Sequence, residues 1–417
     1  MLKTRQTCRA CGCELIDILN LGEYYLPVYL NDTQPLIERK VPLILSRCNM
    51  ENDENACGLV QLRHTVSGNL MYKNYFYRSA INTSMVNHLE EIVDRVLKFA
   101  NVKQSDLIVD IGCNDGTLLQ RYIDRGFFHL CGFDPAHTMA KYSSKVKAKV
   151  IEDYFNYKSF MEYYQDEKAK VITSIAMFYD LEDPHTFINN IRRILSEDGI
   201  WITEQAYLPQ TLIQNSFDTI CHEHLSYYSF FVVKNMLEMN GLEVVDVFLN
   251  DSNGGSFQVY VGHKGKHDIS DSAYERMQAL LIDEFNMELD KNTPYDAFVK
   301  NINKNRQDLV ELLKQCKSDN KKVFAYGAST KGSINLQYCG VTNDLVTACA
   351  DKNPDKWGLK MAGSNIPIIS EAEAKKQNPD YFLILPWHFL ENFKEREKDF
   401  FEKGGKFIVP MPSVKII

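Results

Sequence analysis

Apolar and polar positions along the chain of 417 residues follow an alternation of helical and strand patterns from about residue 68 onward. In Ser84–Ala100 the apolar residues recur every three or four positions, which predicts an amphipathic helix. Short apolar runs follow, bounded by glycine, aspartate or polar turns and separated by helical patterns. The predicted strands are Leu107–Ile111, Leu130–Phe133, Val171–Met177 and Ile200–Thr203. This order predicts an α/β fold with a parallel, doubly wound (Rossmann-like) sheet.

Two further regions flank the central one. Around Asn253-Gly254-Gly255, the stretches Leu242–Leu249 and Ser256–Val261 predict an antiparallel hairpin that closes the sheet. After a polar, helix-rich stretch at about 268–318, strand patterns resume and predict a second, smaller α/β unit. Its predicted strands are Lys322–Tyr326, Leu345–Ala350, Tyr381–Leu385 and Lys406–Val409. We therefore divide the chain into residues 1–66, 67–265 and 266–417.

Composition excludes some partners. The chain is 45% hydrophobic and 24% charged, and its net charge of −8 comes without a Lys/Arg-rich run. We therefore expect no nucleic acid as main partner. No apolar stretch has the length of a membrane span, and the N-terminus lacks the apolar core of a signal peptide, so we expect no membrane and a cytoplasmic location.

Five of the eleven cysteines fall in the first 57 residues, where helical periodicity is weak. An odd total in such a chain favours metal ligation over disulfides. Cys8 and Cys11 form one pair, and Cys48 and Cys57 can supply the second. Four thiolates satisfy a tetrahedral, structural zinc ion, which predicts a zinc-binding domain over residues 1–66. Cys13 is a spare or alternative ligand, and the competing interpretation is a set of unpaired thiols.

Residues 107–119 read as a strand, a glycine turn and a helix. Gly112 and Gly116 allow a ligand to approach the backbone, and Asp134 ends the next strand, where carboxylates accept hydrogen bonds from ribose hydroxyls. In this turn, carboxylates occupy the place where a dinucleotide-binding loop would hold a pyrophosphate, and carboxylates suit a cationic ligand such as S-adenosylmethionine. We therefore predict a class I, S-adenosylmethionine-binding methyltransferase domain over residues 67–265. The alternative is a tight turn without a ligand. The predicted cofactor-binding residues are Asp110, Gly112, Asn114, Asp115, Gly116 and Asp134.

Residues 216–229 contain the densest group of proton-handling side chains, and they follow a predicted strand. Ligands bind at strand ends in open α/β sheets. His222 and His224 are separated by one residue and do not share a helix face, and no third metal ligand is evident. General base chemistry involving His222, Glu223 and His224 is therefore the better interpretation than metal binding.

These segments resemble the nucleotide-sugar C-methyltransferases of branched deoxysugar pathways, over nearly the whole chain. The similarity includes Tyr75-Phe-Tyr-Arg-Ser79, Asn253-Gly-Gly-Ser256, Ala325-Tyr-Gly-Ala-Ser-Thr-Lys-Gly332, Asp351-Lys-Asn-Pro-Asp-Lys356, Asn365-Ile-Pro367 and Pro379-Asp-Tyr…Leu385-Pro-Trp387. The resemblance implies an N-terminal zinc domain, a central S-adenosylmethionine domain and a C-terminal α/β domain over residues 266–417. A small nucleotide-sugar would lie in the cleft among them.

The resemblance also implies the reaction and the residues that perform it. Such enzymes methylate a carbon beside a ketone, typically C3 of a 4-keto-6-deoxysugar, after a base has formed an enediolate. His224 aligns with the base, Glu223 stands beside it, and Tyr75 or Tyr77 faces the sugar. The predicted substrate-binding residues are Tyr77, Arg78, Ser79, His222, Asn253 and Lys331, the last beside a phosphate.

Several alternatives stay open. Some family members have a tyrosine where this chain has Cys221, and some have a histidine where it has Phe178. An O-methyltransferase acting on a sugar or small acceptor therefore remains a second hypothesis, and a non-catalytic nucleotide-sugar binding protein a third. The glycine turn before Lys331, followed by Asp351, also has features of a nicotinamide site, although its glycine spacing fits poorly.

Overall fold

Seven strands form the central sheet of the computed structural model, which describes residues 2–26, 29–30, 40–51, 53–72 and 76–417. Five neighbouring strands run parallel, as the strand–helix alternation predicts. The other two form the predicted antiparallel hairpin at one edge. In spatial order the strands are Leu242–Asn250, Ser256–His263, Leu195–Ala206, Ala169–Ile175, Leu107–Ile111, Leu130–Phe133 and Lys149–Ile151.

Helices connect these strands. The predicted amphipathic helix spans Thr83–Phe99, buries Met85, Ile92 and Val93, and begins where the Asn82 side chain accepts a hydrogen bond from the Ser84 N–H. The other helices of the central region are Gly68–Tyr72, Thr117–Ile123, His137–Ser143, Tyr157–Tyr164, Pro184–Ile194, Leu208–Ile213 and Phe230–Met239. Short 3₁₀ turns span Ser79–Ile81, Phe178–Asp180, Phe217–Thr219 and Ser252–Gly254.

The N-terminal region is built from strands, which its sequence pattern does not indicate. Leu15–Tyr24 pairs with Val41–Cys48, but the register shifts near Asp17 and again near Asn20. These irregularities interrupt the two-residue alternation that identifies a strand in a sequence. The four-stranded sheet has the order Ser226–Tyr227, Val60–Leu62, Val41–Cys48 and Leu15–Tyr24, and a two-stranded pair joins Lys3–Thr4 to His64–Thr65.

The C-terminal region contains the second sheet that the sequence predicts. The expected strand at Leu345–Ala350 is shorter, because the N–H groups of Leu345 and Val346 both donate to the Thr342 carbonyl and form a turn. In spatial order the strands are Ile368–Ser370, Cys349–Asp351, Val323–Tyr326, Tyr381–Ile384, Lys406–Val409 and Lys415–Ile416, the last one antiparallel. The helices are Asp271–Asn286, Thr293–Ser318, Thr330–Cys339, Glu371–Lys376, Leu390–Arg396 and Lys398–Glu402, with 3₁₀ turns at Pro354–Lys356 and Trp387–Phe389.

The C-terminal region contacts both others. Strand Lys360–Met361 pairs with Tyr29–Leu30, and the Tyr142 hydroxyl donates to the Asp355 carboxylate at 2.9 Å. The domain boundaries after residues 66 and 265 stay predictions. Within the described ranges, no helix is both long and apolar enough to cross a membrane.

Candidate active site

A cavity of about 1460 Å³ lies where the three regions meet. It is bordered by residues at the carboxyl ends of strands in both parallel sheets, among them Asp134 and Gly327, and by Tyr29 of the N-terminal region. Ligand sites usually measure about 300–1,000 Å³. The cavity therefore has room for two small molecules at once.

The glycine turn forms one wall of this cavity. Gly112 has φ of +77°, and a Cβ added to it would lie 3.2 Å from the Met177 Cγ. Gly116 has φ of +83° and begins the helix Thr117–Ile123, but it does not border the cavity. Of the two glycines, Gly112 is therefore the one whose backbone, bare of a Cβ, borders the cavity.

Two predicted cofactor carboxylates border the cavity. Burial raises the pKa of Asp110 to about 7, although the Thr173 hydroxyl donates to this carboxyl at 2.7 Å. Burial also raises the pKa of Asp134, which accepts hydrogen bonds from the N–H groups of Asn114 and Ala136. A cationic ligand would offset the cost of burying these charges, so the wall fits the sulfonium and amino groups of S-adenosylmethionine.

The side chains of Asn114 and Asp115 form hydrogen bonds with residues 77–80. The Asn114 side chain accepts from the Ser79 N–H at 3.1 Å and donates to the Tyr77 carbonyl at 3.0 Å. The Asp115 carboxylate accepts from the Ala80 N–H at 2.9 Å. Asp115 does not border the cavity, so its predicted direct contact with the cofactor is not supported, and its observed role is to hold residue 80.

Among the predicted substrate residues, Tyr77, Arg78 and Ser79 border the cavity. The Arg78 guanidinium stacks 3.6 Å from the centre of the Tyr142 ring, which restricts its position. Tyr75, predicted to be catalytic, lies outside the described residues.

The predicted base, His224, borders the cavity with a defined tautomer. Its Nδ1–H donates to the Thr219 carbonyl at 2.8 Å, and no described residue hydrogen-bonds its Nε2. The ring packs 4.2 Å from the ring of Tyr179. Burial and the nearby Lys331 lower the pKa of His224 to about 3, so the imidazole is neutral at physiological pH.

Glu223 also borders the cavity, and burial raises its pKa to about 8. The pKa of the neighbouring Asp180 is raised mainly by burial and, to a smaller extent, by the charge of Glu223. Two buried carboxyls so close together do not both ionise at neutral pH. A protonated Glu223 can donate a hydrogen bond to a ligand oxygen.

His222 is placed differently from its neighbours. We predicted a contact with the substrate, but His222 does not border the cavity and its Nε2–H donates to the Val41 carbonyl at 3.1 Å. The physical reason is that residues 222–227 lie against the N-terminal sheet, to which both His222 and the strand Ser226–Tyr227 are hydrogen-bonded. The substrate-binding role is therefore not supported.

Lys331 and Asn253 meet across the cavity, since the Lys331 ammonium donates to the Asn253 carbonyl at 2.8 Å. Burial lowers the pKa of Lys331, while Asp218 opposes that effect. The Asp351 carboxylate accepts from the N–H groups of Ala328 and Asn353. Asp351 is thus occupied by main chain, which weighs against the nicotinamide interpretation.

The four predicted zinc ligands lie together. The Sγ atoms of Cys8, Cys11, Cys48 and Cys57 are all within 4.8 Å of one another, with Cys8 3.6 Å from Cys57 and Cys11 3.3 Å from Cys48. Zn–S bonds of about 2.3 Å in a tetrahedron separate sulfurs by roughly 3.8 Å. The donor set therefore fits zinc, and Cys13 lies outside this cluster.

Sequence reasoning missed Tyr179 and Thr219, which contact the predicted base, although Tyr179 follows a strand end, where ligand-contacting residues are expected. Conversely, Phe178 is buried against Tyr228 and Trp201 and does not border the cavity. A direct contact between Phe178 and a methyl acceptor in the cavity is therefore not expected.

Fold and site together define an S-adenosylmethionine-dependent methyltransferase. A family model described as a methyltransferase domain matches residues 85–247, and one described as the C-methyltransferase C-terminal domain matches residues 251–412. C-methyltransferase NovU of Streptomyces niveus is 30% identical over 415 residues, which cover 98% of this chain and 96% of that protein. The chain therefore belongs to this family of C-methyltransferases, and the family resemblance seen in the sequence is confirmed.

Solved structures of methyltransferases match less than half of the chain. An S-adenosylmethionine-dependent methyltransferase from Clostridium acetobutylicum is 13% identical, with a TM-score of 0.34 over 42% of this chain and 91% of that one. Magnesium protoporphyrin IX methyltransferase from Synechocystis is 12% identical, with a TM-score of 0.35 over 44% and 88%.

Proposed function

We propose that the enzyme methylates C3, beside a C4 ketone, of a nucleotide-linked keto-deoxysugar through an enediolate. The observation that carries this proposal is the His224 ring, whose Nδ1–H is held by the Thr219 carbonyl. This bond leaves a lone pair on Nε2 of a ring that borders the cavity. Membership in a C-methyltransferase family favours a carbon acceptor over an oxygen acceptor.

The two ligands would occupy opposite parts of the cavity. Asp110, Gly112 and Asp134 would hold S-adenosylmethionine, which supplies an activated methyl group when bound. Lys331 and the adjoining C-terminal wall would face the nucleotide-sugar. Cys8, Cys11, Cys48 and Cys57 would hold a structural zinc ion, and these residues do not border the cavity.

Proton transfer can be assigned to two side chains. Neutral His224 removes the proton from the carbon beside the ketone, and protonated Glu223 donates a hydrogen bond to the ketone oxygen as it becomes negative. The negative charge of the enediolate then stabilises the imidazolium, because a nearby opposite charge raises the pKa of a histidine. Lys331, where charged, adds to the stabilisation of that oxygen.

Isotope exchange tests this function. In deuterated water, the enzyme with S-adenosylmethionine and a nucleotide-linked 4-keto-6-deoxysugar should give a product one methyl group heavier, with the methyl on carbon by NMR. With S-adenosylhomocysteine in place of the donor, deuterium should enter the substrate at the carbon beside the ketone. A methyl group on oxygen would reject the proposal, and so would the absence of both signals across candidate sugars.

The pH dependence separates the roles of Glu223 and His224. Because the raised pKa of Glu223 is about 8, its protonated form predominates below pH 8 and is lost above it. We expect kcat to be flat near neutrality and to fall about tenfold per pH unit well above pH 8. Glu223→Gln keeps an N–H donor but does not titrate, so it should retain activity within about tenfold of the parent and lose the alkaline fall.

The opposite result would assign the base differently. If Glu223 removes the proton, kcat should rise as the pH passes 8 and Glu223→Gln should be inactive. Thermal unfolding of both proteins at each pH is the control for loss of folded enzyme.

A further inference from the structure

The segment that carries His224 continues into an edge strand of the N-terminal sheet. Ser226–Tyr227 pairs antiparallel with Val60–Leu62, and the Leu62 N–H donates to the Leu225 carbonyl at 2.9 Å. On the other side, the Leu225 N–H donates to the Tyr179 carbonyl at 2.9 Å. His224 therefore immediately precedes a residue that is held both by the N-terminal sheet and by the 3₁₀ turn Phe178–Asp180 of the central region.

His222 adds a third attachment to the N-terminal sheet. It is 2% exposed, and burial lowers its pKa to about 4, so the ring is neutral. A neutral ring has one N–H, and the hydrogen bond from Nε2 to the Val41 carbonyl uses it. Within the described part of the chain, Nδ1 has no hydrogen-bond partner. The single polar contact of this buried ring is thus with the first residue of a strand in another domain.

Gln61 connects the same strands to the cysteine cluster. Its main chain lies opposite Ser226, and its side chain is fully buried. The Gln61 amide donates to the Cys8 Sγ at 3.1 Å and accepts from the Arg9 N–H at 3.1 Å. One residue therefore links the metal-binding end of the N-terminal domain to the strand that follows His224.

We propose that His222 is a positioning residue, whose attachment to the N-terminal sheet holds residues 219–225 so that His224 faces the cavity. This inference rests on the proposed function only in taking His224 as the base. It assigns the N-terminal domain a role beyond binding a structural metal ion. A shift of a catalytic group by about 1 Å can lower the rate 10²-fold. We therefore expect loss of the His222 hydrogen bond to lower the rate of proton abstraction and to leave cofactor binding unchanged.

Three variants of the metal-loaded, full-length enzyme test the inference. His222→Leu removes the hydrogen bond but fills the space. His222→Gln retains an amide N–H that can reach the Val41 carbonyl. Ser46→Ala is the matched control, because Ser46 is a fully buried residue of the same strand as Val41 whose hydroxyl donates to Asp17 at 2.7 Å and not to residues 219–225.

We expect His222→Leu to lower kcat 10- to 100-fold. Its KM for S-adenosylmethionine and its affinity for S-adenosylhomocysteine should change less than twofold. Amide hydrogen exchange in residues 217–228 should become faster. His222→Gln should restore most of kcat and of the protection, and Ser46→Ala should leave both unchanged.

Two results would overturn the inference. One is a His222→Leu enzyme with parental kcat, and the other is parental hydrogen exchange in residues 217–228 of that variant. If the parent methylates no keto-sugar, the proposed function fails instead. The exchange and cofactor-affinity measurements still decide whether His222 holds the segment.

Discussion

Replacement of His224 by asparagine should lower kcat about 10³- to 10⁴-fold, at the upper end of what a positioned general base contributes. The asparagine amide can still donate to the Thr219 carbonyl, as the Nδ1–H of His224 does. Only the proton acceptor at Nε2 is lost. Deuterium exchange at the substrate carbon should disappear together with methyl transfer, because both require the same proton abstraction.

Two measurements keep this result interpretable. Calorimetric affinity for S-adenosylhomocysteine should stay within about twofold of the parent, since His224 hydrogen-bonds Thr219 and neither Asp110 nor Asp134. Tyr179→Phe retains the ring that packs on His224 and serves as a matched variant that should keep most of its exchange activity. Exchange at the parental rate in the asparagine variant would assign proton abstraction to another group.

Loss of the metal should have the largest effect on stability. Structural zinc binds isolated zinc-finger peptides with about 10–16 kcal/mol, and part of this free energy stabilises the folded domain. Cys48→Ser removes one of four ligands at a fully buried position, so we expect about one zinc per chain to fall to nearly none and the N-terminal domain to unfold at a lower temperature.

Cys13 supplies the control for this experiment. Its Sγ contacts the Cys11 carbonyl at 3.9 Å and lies outside the cluster, so Cys13→Ser should keep both the zinc and the unfolding temperature. Metal analysis by mass spectrometry, with thermal unfolding followed by circular dichroism, measures both quantities. A well-folded parent without metal would contradict the zinc proposal.

The parts of the fold that depend on local pattern were predictable. The strand Leu107–Ile111, its glycine turn and the amphipathic helix before it follow from apolar period and turn residues alone. The bulged strand Leu15–Tyr24 was not, because its irregular register breaks the period of two. The prediction of a strand beginning at Leu345 was wrong. The apolar residues at this position form a turn, and an apolar run in a sequence does not distinguish a buried turn from a strand.

The candidate site was predictable in its residue types but not in its orientations. His222 and His224 differ by two positions, yet one contacts the N-terminal sheet and the other borders the cavity. Asp115 belongs to a motif typical of cofactor loops, yet it binds the Ala80 N–H. In both cases a contact with residues far away in the chain decides where the side chain lies, and a single sequence does not contain that information.

The size of the shared cavity has a consequence for the lifetime of the intermediate. A cavity of about 1460 Å³ has room for many water molecules beside a bound sugar. An enediolate in contact with that water would be reprotonated instead of methylated. The nucleotide part of a substrate, although remote from the reacting carbon, would therefore serve the chemistry by displacing solvent, so its binding energy would determine how often a carbanion, once formed, acquires a methyl group.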